Sequence, residues 1–126
     1  MTLDVLPASY AICRLSADAA LPSWARSRAF SSVTRTAGEL SIVCAADDVP
    51  DDVAAERGYR VLAVRGPLDF GLVGIVAALS TVLASAAISI FVVSTYDTDY
   101  LLVRGTDLER AAGALRAAGH EVVTGA

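Results

Sequence analysis

The sequence predicts an α+β fold, with a βαββαβ module in its second half and a reduced, β-rich module in front of it. Three observations carry this expectation. Short apolar runs bounded by Gly, Pro and Asp recur along the chain, which is the strand pattern. Two longer segments repeat their apolar residues at spacings of three and four, which is the helix pattern. Between residues 59 and 124 these segments follow one another as β-α-β-β-α-β.

The second half supplies the clearer elements. Residues 59–65 (Tyr-Arg-Val-Leu-Ala-Val-Arg) alternate as a strand, and Gly66-Pro67 ends it because Pro cannot donate to a sheet ladder. Asp69 stands where a helix N-cap belongs, ahead of a helix over about 71–86 whose Leu72, Ile75, Val76, Leu79 and Leu83 form one apolar stripe. Residues 88–95 are rich in β-branched and aromatic types, a strand signature. Tyr96-Asp97-Thr98 makes a tight turn into the partner strand 99–104. Thr106 with Glu109 three residues on has the capping-box spacing, and the helix it opens stops at Gly119. Residues 120–124 form a last short strand. This order is the ferredoxin-like split βαβ unit, with both helices on one face of an antiparallel sheet.

The first half is a worn version of the same plan. Strands are expected at 10–14, 29–35 and 39–44, the last two joined through Thr36-Ala37-Gly38. Residues 17–27 are too short and too interrupted by Pro22 for a full helix, and 53–57 allow one helical turn at most. The expected organisation is a reduced module at 1–58 and a complete one at 59–126. The acidic run of Asp47, Asp48, Asp51, Asp52 and Glu56 is expected to be a solvated turn, since a hard-cation loop needs a denser ligand pattern.

Composition narrows the chemistry. With 126 residues, 55% of them hydrophobic and 19% charged, the chain can bury a core and is not disordered. A net charge of −4 argues against nucleic acid, whose binding relies on clustered basic residues. All 10 basic residues are Arg. Without Lys there is no Schiff-base chemistry and no phosphate-loop lysine. One His (His120) and two Cys (Cys13, Cys44) do not make a Cys/His zinc site, and no cofactor or metal is expected. The two cysteines, each inside an apolar strand, are expected as buried thiols in a reducing cytoplasm. The N-terminus has neither the basic region nor the long apolar core of a signal peptide.

One stretch raises a membrane reading, because residues 70–96 carry no charge before Asp97. Its one-sided helical stripe, its change to strand character at Ile88 and its lack of flanking basic clusters all count against a span.

Two segments concentrate potential binding groups. Gly66 to Ile75 precedes the first long helix, whose free N–H groups and dipole favour a carboxylate, while Gly71 and Gly74 allow close approach. The plain alternative is that Asp69 caps the helix and the glycines serve packing. Ser94-Thr95-Tyr96-Asp97-Thr98-Asp99-Tyr100 is a hairpin tip whose carboxylates suit an ammonium or guanidinium group. Its Asp pair is also a weak signal for acid–base chemistry, though Asp at turns is ordinary turn chemistry. A zwitterion with its carboxylate at the helix and its amine on an Asp fits such a crevice, so an amino acid is the natural ligand.

The same residues carry a family resemblance. Ser41-Ile42-Val43-Cys44, Gly66-Pro67-Leu68-Asp69-Phe70, Gly74-Ile75, Ile88-Ser89-Ile90-Phe91 and the tip from Ser94 to Tyr100 resemble the small bacterial tandem ACT-domain proteins, related to the CASTOR arginine sensors of animals. Val5-Leu6-Pro7, Ser32-Val33-Thr34-Arg35-Thr36 and Ala118-Gly119-His120-Glu121-Val122 add to the match, which spans nearly the whole chain. The resemblance implies a cytoplasmic regulatory sensor that binds an amino-acid-like ligand between ACT modules and performs no catalysis. By position it implies a pocket of Leu68, Asp69, Phe70, Gly74, Ile75, Thr95, Tyr96, Thr98 and Asp99, closed by Ser89 and Ile90 of a neighbouring module. It also implies a homodimer, since one chain holds half of the fused arrangement of the animal sensors. The residues agree on that point: strand 88–93 is apolar on both faces, and the two helices cover only one. The competing reading is a structural or protein-interaction module of the same fold with a vestigial pocket.

Overall fold

The computed structural model describes residues 1–69 and 71–124. Its elements in chain order are β1 (Thr2–Val5), β2 (Tyr10–Leu15), β3 (Ser32–Arg35), β4 (Leu40–Ala45), β5 (Ala55–Val64), α1 (Ile75–Ser85), β6 (Phe91–Ser94), β7 (Asp99–Arg104), α2 (Leu108–Ala117) and β8 (Glu121–Thr124). Short 3-10 turns occupy Ala46–Asp48 and Gly105–Asp107. The chain divides into two compact units, one of Met1–Pro7 with Arg60–Ala126 and the other of Ala8–Tyr59. Residues 1–7, expected in the leading module, therefore group with the later unit.

The Ala8–Tyr59 unit is a sheet in the order β3-β4-β2-β5, with every pair antiparallel. The β3–β4 turn closes on Thr36, whose amide donates to the Glu39 carbonyl at 2.9 Å while its Oγ1 accepts the amides of Gly38 and Glu39. Ala11, Cys13, Leu40, Ile42 and Cys44 alternate onto one face and form the core with Ala25 and Val49. As expected, residues 17–27 form no helix, and Trp24 and Ala25 of this segment pack on the sheet. Residues 53–57, allowed one helical turn at most, form none, because Ala55 to Arg57 extend β5 to complete the ladder with β2. The register shifts between Tyr10 and Ile12, opposite Gly58 at φ 83°. A bulge needs a residue that accepts this left-handed conformation, and Gly does so without a Cβ clash.

The other unit has the strand order β6-β7-β5-β1-β8 with α1 and α2. It is a ferredoxin-like βαββαβ module with one strand added. Strand β1 pairs antiparallel with β5 and parallel with β8, so it stands between the module's first and last strands. Four residues are too few for a period to show in the sequence, yet Leu3 and Val5 point into the core and fix the face. Leu79 and Leu83 of α1 and Ala111, Ala112 and Leu115 of α2 bury against Leu3, Leu62, Val64, Leu101, Val103 and Val122. Burying one such aliphatic side chain contributes about 1.5–3 kcal/mol, so this seam is the main source of the unit's stability.

The helix ends depart from expectation in an informative way. Helix α1 starts at Ile75 and not near 71, and Asp69 does not cap it. Gly74, at φ 80°, is its N-cap and breaks the helical path, so Leu72 leaves the apolar stripe and stands 52% exposed. Thr106 and Glu109 do not form a capping box either, since the 3-10 turn at Gly105–Asp107 leads into α2 with no side-chain cap. Both helices end in a Schellman closure. In α2 the amides of Gly119 and His120 bond the carbonyls of Arg116 and Leu115, with Gly119 at φ 96° as expected. In α1 the amides of Ala87 and Ile88 bond Ala84 and Leu83, and Ala87 holds φ 59° without being glycine. That closure consumes Ile88, which shortens the strand expected at 88–95 to Phe91–Ser94. Among the described residues no helix is long and apolar enough to cross a membrane.

Candidate functional site

In the unit that contains α1 and α2, a cleft of about 340 Å³ opens between the β5–α1 loop, the first turn of α1 and the tip of the β6–β7 hairpin. Small-molecule pockets run from about 300 to 1,000 Å³, so the space suits a compact ligand.

Backbone chemistry builds its walls. The Leu68 amide donates to the Asp97 carbonyl at 2.8 Å, and the Thr98 hydroxyl donates to the Val64 carbonyl at 2.6 Å. Gly66 makes this approach possible: a Cβ there would lie 3.1 Å from the Leu68 nitrogen and 3.2 Å from the Asp97 oxygen. On the loop, Asp69 turns the chain by accepting the Gly71 amide on Oδ1 at 2.8 Å, while its carbonyl accepts Leu72 at 3.0 Å. At the tip, the Thr95 amide bonds the Thr98 carbonyl at 2.8 Å, and Ser94 Oγ donates to Asp99 Oδ1 at 2.5 Å.

The cleft has a polarity. Ile75, Val76 and Ala77 line it at the start of α1, where the first amides have no partner within the helix and no side chain caps them. That end favours an anionic group. Asp69, Asp97 and Asp99 line it with the hydroxyl residues Ser94, Thr95 and Thr98, and no Arg is among the lining residues. Those groups favour a cation. Leu68, Leu72, Ile75 and Val76 supply apolar surface. The arrangement can hold a small zwitterion with an aliphatic part.

Eight of the expected site residues meet here: Leu68, Asp69, Gly74, Ile75, Thr95, Tyr96, Thr98 and Asp99. Phe70 lies outside the described residues. Ser89 and Ile90 do not line the cleft of their own chain; Ser89 is exposed and Ile90 packs on the core. Leu72, Val76 and Ala77 were not expected. The helix was expected to start near 71; starting at Ile75, it brings Val76 and Ala77 to the mouth.

The acidic run at 47–56 is largely exposed, and among the described residues no three His, Cys, Asp or Glu side chains group as a metal site. Cys13 and Cys44 are buried and unbridged.

Residues 54–117 match a family model described as an ACT domain. The chain belongs to the ACT domain family. ACT domains are regulatory, small-molecule-binding folds. A second model, described as an N-terminal domain, matches residues 8–52. Among solved structures, a protein from Agobacterium tumefaciens is 46% identical, with a TM-score of 0.94 over 99% of this chain and 93% of its own. A Vibrio cholerae protein of unknown function, described as a possible transport protein, is 21% identical at TM-score 0.76, covering 92% of this chain and 88% of its own. Aspartate kinase from Synechocystis is 15% identical at TM-score 0.66, with 99% of this ACT chain matching 28% of the enzyme. No curated protein matches the chain.

Proposed function

We propose that this ACT protein is a cytoplasmic sensor whose β5–α1 cleft binds an amino-acid-like molecule, and that it carries out no catalysis. The observation that supports this most is the opposed polarity of one small cleft, with uncapped helix amides at one wall and Asp69, Asp97 and Asp99 at the others. An α-amino acid carries the matching pair of charges, its carboxylate for the amides and its ammonium for the aspartates. Membership of the ACT family, a regulatory small-molecule-binding fold, supports the same reading.

The working form is a homodimer. Strand β6 pairs only with β7 among the described residues, and Val92 on it is 36% exposed. An open edge of this kind is usually protected or paired. In the dimer, Ser89 and Ile90 of the second copy close the cleft. In this reading a reduced module precedes the complete βαββαβ module of 59–126, with β1 added to the latter's sheet.

Calorimetric titration of the protein with each of the twenty amino acids tests the ligand, and light scattering tests the assembly. Saturable heat from one amino acid, at a mass twice 13.0 kDa, is the expected result. No heat from any of them leaves the fold as an interaction module, and a monomer removes the shared site.

A further inference from the structure

The apolar spacing and the backbone place the start of α1 one turn apart. Leu72 keeps helical spacing with Ile75, Val76, Leu79 and Leu83, yet α1 begins at Ile75. The residues ahead of it already hold the opening bonds of a longer helix. The Asp69 side chain accepts the amide of Gly71, two residues on, at 2.8 Å, which is the bond an N-cap makes. The Asp69 carbonyl accepts the amide of Leu72, three residues on, at 3.0 Å, a tight helical turn.

Gly74 separates this capped turn from α1. It holds φ 80° and ψ 3°, the left-handed conformation, and its carbonyl accepts the Ala78 amide at 2.8 Å to open the helix. Glycine takes positive and negative φ about equally readily, so a change of sign is open to the chain here. Gly74 is exposed, and a Cβ on it would meet nothing within 4 Å, so no neighbour holds it in the left-handed state.

The two backbone states differ at the cleft. With the helix starting at Ile75, the amides of Ile75, Val76 and Ala77 have no partner within it, and no side chain caps them. In a helix continued back to Gly71, those amides bond the carbonyls of Gly71, Leu72 and Val73, by the i to i−4 pattern. Leu72, which stands 52% exposed, then returns to the stripe of Ile75, Leu79 and Leu83. An anionic group loses its donors.

We propose that Gly74 is a switch that regulates the cleft: an extra helical turn over 71–74 competes with the ligand's carboxylate for the amides of Ile75, Val76 and Ala77. The switch rests on the reading of the cleft as an amino-acid site. Ligand binding selects the shorter helix, which leaves Leu72 and Val73 displayed at 52% and 90% exposure. Any change that favours the extra turn weakens binding, because it lowers the fraction of chains able to bind.

The test is Gly74→Ala, read by NMR without ligand and then with each of the twenty amino acids at millimolar concentration. Alanine disfavours the left-handed state and favours the helix, and the two effects together should weaken binding by roughly ten- to a hundredfold. In the ligand-free variant the Cα shifts of residues 71–73 become helical, and the amides of 75–77 become protected from exchange. Gly74→Asn, which tolerates the left-handed state, stays close to the wild type in both readings. If Gly74→Ala does not fold, Gly71→Ala carries the test. It favours the same turn from outside the left-handed position and gives the same changes, with about a fivefold loss of affinity. Unchanged shifts and unprotected amides in a folded alanine variant overturn the switch, even where an amino acid binds the wild type. Weakened binding without new helix overturns it too, since Gly74 is then a plain contact. A wild type that answers to none of the twenty refutes the amino-acid reading instead, while the ligand-free variants still decide whether the turn takes those amides.

Discussion

The amide of Leu68 donates to the carbonyl of Asp97 across 2.8 Å, tying the loop after β5 to the tip of the β6–β7 hairpin. Gly66 sits inside this joint, and a side chain there meets backbone on both sides. Gly66→Val is expected to cost about 1–3 kcal/mol, as overpacking does, and to weaken ligand binding as the two walls part. Urea denaturation with a binding titration checks both; a variant of unchanged stability contradicts the role of the joint.

Ala87 carries the left-handed turn that closes α1, at φ 59°. An L-residue pays about 1–2 kcal/mol for this conformation, and glycine does not. Ala87→Gly should therefore raise stability by up to about 1 kcal/mol, after glycine's extra freedom in the unfolded chain is subtracted. A rise in the urea midpoint at constant slope is the expected outcome, and a fall would contradict it.

The βαββαβ order was legible because its helices carry a clear apolar period and its strands are β-branched or aromatic apolar runs bounded by turn residues. The start of α1 was not. Leu72 keeps helical spacing with Ile75 and Leu79, but backbone geometry at Gly74 overrides the side-chain pattern and moves the helix one turn on. The same shift hid Val76 and Ala77 from the site while leaving Asp69 and the tip residues in it. Strand β1 was hidden for another reason: its pairing with β5 and β8 is non-local, and four residues show no period of their own.

Alkaline pH should loosen the chain through the core thiols. Burial raises the Cys44 thiol from 9.0 to about 11, so the folded state holds a proton that the unfolded state releases. The stability this confers is complete below pH 9 and is lost as pH rises towards about 11. Burial shifts Cys13 and Tyr10 in the same direction. Urea titrations between pH 8 and 11, roughly spanning that window, should show falling stability, with a shallower fall in Cys44→Ala. Equal slopes would remove Cys44 as a cause.

Asp99 should matter to binding more than to folding. Its one described side-chain bond, to Ser94, is exposed, and changes of that kind shift stability by about 0.5 kcal/mol or less. A charge-assisted bond to a ligand ammonium is worth about 1.5–3 kcal/mol. Asp99→Ala should keep the melting temperature of the free protein and lose most of the affinity. A large loss of stability with affinity intact would place Asp99 in the fold alone.

The central claim is that the cleft holds an amino acid, and thermal melting of the unmodified protein against all twenty tests it most directly. A ligand at a hundredfold excess over its dissociation constant adds about 2.7 kcal/mol, a rise of several degrees for a chain of this size. The expected result is one amino acid, or a chemically related group, that raises the melting temperature in a concentration-dependent way. A flat response to all twenty at millimolar concentration would contradict it.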